Sequence, residues 1–116
     1  MPIEFPSPFI SVPRSDGSVE AITSEFGFFG GTHALMVERG HQAGGHSWGA
    51  LAEIILERQL PELGSEIRFD CEGDTFVAIG SEANLQSLLR EFVDVMTERE
   101  KLVPFIEAAE ARGAME

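Results

Sequence analysis

Residues 40–56 read GHQAGGHSWGALAEIIL, a glycine-rich segment running into an amphipathic helix. It contains the only tryptophan, Trp48, and two of the three histidines, His41 and His46. Gly40, Gly44 and Gly45 permit backbone angles closed to other residues, and Ser47 is placed to cap the helix that follows. From Trp48 onward the apolar positions fall at helical spacing. Trp48, Leu51, Ala52, Ile55 and Leu56 share one side, while Glu53 and Glu57 point away one turn apart. The spacing predicts a helix over Trp48–Leu60, stopping ahead of Pro61. A helix with so wide an apolar face must lie against a sheet or other helices, and the remaining segments are read for what they offer.

Upstream, prolines at positions 2, 6, 8 and 13 interrupt any helix and confine a strand to a sheet edge. Phe9, Ile10 and Val12 form a short strand between them. Ser15-Asp16-Gly17-Ser18 is a turn, and Val19, Ala21 and Thr23 alternate with polar residues as a second strand returns. Phe26-Gly27-Phe28-Phe29-Gly30-Gly31 is either an aromatic loop closing one end of the core or an exposed contact patch, buried aromatics being the commoner case. His33 to Val37, apolar on both faces, reads as a third strand inside the sheet.

Downstream, Glu66-Ile67-Arg68-Phe69, the turn Glu72-Gly73-Asp74 and Thr75 to Ile79 read as a second hairpin. Ser81 caps a helix with Glu82 at its positive end, and Leu85, Leu88, Leu89, Phe92, Val93, Val95 and Met96 supply its apolar face. Thr97 and Glu100 have the spacing of a capping box, and Pro104 predicts a kink or restart near Val103 before a short terminal helix whose tail frays from Gly113. The sum is one α+β domain over residues 1–116. It is a mostly antiparallel sheet of about five strands, with Trp48–Leu60 and the two C-terminal helices packed mainly on one face.

Twenty acids against eight bases give a net charge of -12. Such a field repels phosphate backbones and anionic lipid, so neither nucleic acid nor membrane is an expected partner, and a basic protein is the favoured one. The charge is uneven: residues 1–47 carry -3 and residues 48–116 carry -9. A lone Cys71 excludes an internal disulfide and fits a reducing cytoplasmic setting, and no apolar run approaches the ~20 residues of a spanning helix.

Gly45-His46-Ser47-Trp48-Gly49 matches the nucleophile elbow G-x-S-x-G, but no buried strand precedes it and no histidine follows Ser47 to act as base. His33, His41, His46 and Cys71 are zinc-binding residue types without zinc spacing. A small hydrolase or metal-dependent enzyme centred on Ser47 and His41/His46 is therefore the alternative reading, with no catalytic or metal residue assigned. An adaptor or homodimeric domain is a third.

Along the chain stand Gly44-Gly45, then Trp48 opening a helix, Pro61-Glu62-Leu63, Phe69-Asp70-Cys71-Glu72, Phe76-Val77-Ala78 and two closing helices. Their order and spacing resemble the immunity protein 51 family of bacterial polymorphic toxin systems, over roughly residues 38–110. The chain departs from the family pattern at Ala43-Gly44-Gly45-His46-Ser47, where an asparagine between glycines and an aromatic-acid pair before the tryptophan are expected. The resemblance implies a non-enzymatic cytoplasmic antidote, without cofactor, that binds a cognate protein toxin as a monomer or homodimer. The expected contact joins Asp70, Glu72 and Asp74, three acids within five residues, to Trp48 and His46 of the glycine-rich segment. A merely solvated turn is the plain alternative for those acids.

Overall fold

In the computed structural model, which describes residues 5–113, the first hairpin forms as the turn signal requires. The Asp16 carboxylate accepts hydrogen bonds from the backbone N–H (3.0 Å) and hydroxyl (2.5 Å) of Ser18. That turn joins β1 (Ile10–Pro13) to β2 (Val19–Thr23), which pair antiparallel with Ser11 opposite Ala21. Pro2 and the expected frayed tail beyond Gly113 lie outside the described residues.

The next segment corrects the sequence reading. Gly31–Glu38 is a helix, α1, not a strand. An apolar run of four has no period of its own, so Ala34-Leu35-Met36-Val37 suits either element. In the helix Leu35 and Met36 turn inward, while Val37 stays 51% exposed. Gly40, at φ 85°, ends it: the Gly40 N–H donates to Val37 O (3.0 Å) and the His41 N–H to Met36 O (3.0 Å), the two bonds of a Schellman motif.

Helix α2 spans Gly45–Gln59, followed by a 3-10 turn at Pro61–Leu63. It starts three residues earlier than its apolar period indicated. Its N-cap is Gly44, so Ser47 lies inside the first turn, 1% exposed, and is not the cap.

The second hairpin pairs β3 (Arg68–Phe69) with β4 (Phe76–Gly80). Strand β4 also pairs antiparallel with β2, giving one four-stranded sheet in the order β1-β2-β4-β3. The sheet therefore has four strands, one fewer than expected, because the third predicted strand is α1. Thr23 faces Phe76, Ala21 faces Ala78 and Val19 faces Gly80. Those side chains share the inner face, and alternate residues such as Ile22, Val77 and Ile79 take the other.

Helix α3 (Glu82–Thr97) is capped as predicted, with the Asn84 N–H donating to Ser81 Oγ at 3.2 Å. It ends at Glu98, an extended residue (φ -124°, ψ 111°), and α4 runs Arg99–Ala111. The break thus precedes the expected position near Val103, and Thr97 does not cap α4. Its hydroxyl donates back to Val93 O at 2.8 Å. Pro104 lies within α4 on an exposed face. Leu51 and Ile55 of α2, Leu88 and Phe92 of α3, and Leu102 and Ile106 of α4 join the inner sheet face in one core. The helices lie mainly on that face.

Candidate functional site

The acidic hairpin and the glycine-rich segment, far apart in sequence, are packed directly on one another. At the hairpin tip the Glu72 N–H donates to Thr75 O (2.8 Å) and the Thr75 N–H returns to Glu72 O (3.3 Å), leaving Gly73-Asp74 as a two-residue loop. The Gly45 N–H donates to Gly73 O at 3.1 Å. A Cβ on Gly45 would overlap the carbonyl oxygens of Glu72 and Thr75, and one on Gly44 would overlap that of Gly73. Neither of these two glycines has positive φ. They are needed for close approach of two backbones, not for the unusual angles the sequence reading assumed.

Asp70, Glu72 and Asp74 are all exposed on this hairpin. None forms an ion pair with a basic group among the described residues. Asp74 accepts only a local hydroxyl bond from Thr75, at 3.2 Å. Beneath the hairpin Cys71 Sγ lies 3.0 Å from the place a Gly49 Cβ would take, and it accepts from the Val77 N–H at 3.4 Å. Burial pushes the Cys71 thiol up, the Val77 bond opposes this, and the nearby charges of Glu53 and Asp70 raise it further.

His46 is exposed in the first turn of α2, next to the glycine that holds the hairpin. Trp48 is fully buried. Its ring is met by Phe26 and Phe92 at 5.2 Å, Phe29 at 5.7 Å and Phe9 at 5.9 Å between centroids. Its indole nitrogen has no hydrogen-bond partner among the described residues. Trp48 therefore presents no surface to a partner and instead joins the aromatic loop to the core. That loop divides both ways: Phe26 and Phe29 pack on Trp48, while Phe28 is 54% exposed.

The residues of the enzyme reading go elsewhere. Ser47, buried in the first turn of α2, is not displayed as a nucleophile elbow requires. His41 donates from Nε2 to Glu110 Oε2 at 2.7 Å, and Arg39 grips the same carboxylate at 2.7 and 3.1 Å. The Arg39 bond first, then the His41 bond, hold the Glu110 carboxyl down at about 2. Among the described residues no three His, Cys, Asp or Glu side chains converge where a metal ion could sit.

A family model described as immunity protein 51 matches residues 29–111. The chain belongs to this family. The immunity protein 51 match takes in all four helices and the β3–β4 hairpin and omits β1 and β2, although β2 is a central strand of the sheet. Membership identifies an immunity protein, whose partner is a protein toxin. No match was found among curated proteins or among solved structures. Among the described residues no helix is long and apolar enough to cross a membrane.

Sequence reasoning missed a second feature, next to the α3–α4 break. Phe28, Phe29, Leu35, Met96, Arg99 and Leu102 line a cavity of about 470 Å³. It was hidden because its walls depend on α1 being a helix and on the break at Glu98. The available signal was Gly40, whose position three residues past an apolar run suits a helix C-terminus.

Proposed function

We propose that this immunity protein neutralises its cognate toxin by binding it, without catalysis and in the cytoplasm, and that the toxin offers a basic surface. The contact is the tip of the β3–β4 hairpin, through Asp70, Glu72 and Asp74, with His46 beside it and Trp48 holding the loop from below. One observation carries this reading: three exposed acids with no ion pair among the described residues sit on a hairpin held by backbone contact to the start of α2. Rigid placement lowers the ordering cost of binding, and unpaired acids attract a basic partner at long range.

The test is stopped-flow association with the cognate toxin. Changing Asp70, Glu72 and Asp74 to Lys leaves the circular dichroism unchanged, slows association at low salt at least about tenfold, and flattens its dependence on ionic strength. An unchanged rate and salt dependence would remove the hairpin from the contact.

A further inference from the structure

We propose that the cavity bounded by Phe28 and the α3–α4 junction is a socket for one large apolar side chain of the toxin, set beside an acidic group that pairs with Arg99. The inference rests on the toxin-binding reading above and adds the chemistry of the toxin's anchor.

The walls are mainly apolar, with Thr97 and Arg99 supplying polar atoms. Leu35, Met96 and Leu102 belong to the buried core, and Phe29 packs against Trp48. The mouth is different in kind. Phe28 stands 54% exposed there, a large ring that the monomer leaves in water. A volume of about 470 Å³ falls within the range of pockets that hold small groups, and it accommodates a leucine or phenylalanine side chain. Binding energy at protein interfaces concentrates where one bulky side chain fills such a pocket.

Arg99 sets the chemistry next to that side chain. It makes no ion pair among the described residues, although its sequence neighbours Glu98 and Glu100 are acidic and Glu98 is 3.6 Å from Lys101. An unpaired guanidinium on a chain of charge -12 favours a carboxylate there and opposes a base, which fixes the register of a basic partner. The socket is joined to the hairpin site through the core: Phe29 packs on the buried Trp48 in the first turn of α2, and Gly45 of that helix bonds the hairpin tip.

The probe is N-acetyl-phenylalanine, as the carboxylate and as the neutral amide, titrated into isotope-labelled full chain and followed by NMR. The carboxylate should give saturable shifts at Leu35, Met96 and Leu102, with a dissociation constant on the order of 1 mM. The amide, and the carboxylate with Arg99→Gln, should bind at least fivefold more weakly. Absence of saturable shifts at those residues, or equal binding of acid and amide, overturns the proposal. With the cognate toxin, Phe28→Ala and Arg99→Glu should each speed dissociation at least tenfold, because an anchor acts on the formed complex. Toxin binding with both dissociation rates unchanged overturns the socket and leaves the toxin-binding function standing. A wild-type chain that takes the probe and does not bind the toxin overturns the function and, with it, the socket as a toxin contact.

Discussion

A methyl group at Gly45 would occupy the space of two backbone carbonyls of the hairpin, and neither can swing aside as a side chain would. Gly45→Ala should therefore lower stability by at least about 2 kcal/mol in urea unfolding. Gly27→Ala, where a Cβ meets nothing within 4 Å, should change it by less than about 1 kcal/mol. Equal effects would mean that the hairpin is not held at this point. The glycine pair was legible in the sequence as unusual, and its reason was not. Conformational freedom is a property of a residue alone, whereas close approach depends on a turn at Gly73 that local pattern cannot place. Glu72-Gly73-Asp74 was legible as a turn for the converse reason, since Gly-Asp between two β-prone runs is decided within a few residues.

At the scale of elements, legibility followed period and length. The apolar rows of α2 and α3 repeat over several turns and gave both helices, and Ser81 gave a cap. The eight-residue α1 offered only a four-residue apolar run, and the helix that forms is tied down from outside: Arg39 and His41, just after it, both bond Glu110 near the end of α4. That tie predicts a pH dependence. The folded carboxyl of Glu110 sits at about 2, below its ordinary value of 4.5. Its stabilisation is complete above about pH 4.5 and is lost as pH falls toward about 2. The stability difference between the wild type and Glu110→Gln should thus shrink through this window, with more than half of it gone by about pH 3. A difference independent of pH below 4.5 would show that the carboxylate's charge contributes nothing to the tie.

For the whole molecule the governing number is -12. At about 0.01 M salt the screening length is about 30 Å, comparable to the 39 × 26 × 23 Å extents of the chain, so every acid senses the rest. At about 0.15 M it is about 8 Å, and only neighbours interact. Repulsion among unpaired acids is then damped more than the short pair of Arg39 with Glu110. The urea midpoint should rise between these salt concentrations, with fluorescence of the buried Trp48 as the readout. A fall would mean that the ion pairs outweigh the net charge. The attachment of the hairpin to α2 also bears on how such a protein changes over generations. The atoms nearest a Cβ at Gly44 or Gly45 are main-chain atoms of residues 72, 73 and 75, and the Gly45 N–H bonds the Gly73 carbonyl, so the attachment of the tip to α2 runs through main chain rather than through the side chains at 72 and 74. With the proposed contact at this tip, mutations there would follow a toxin that alters its own surface, and the scaffold would not be rebuilt each time the antagonist moves.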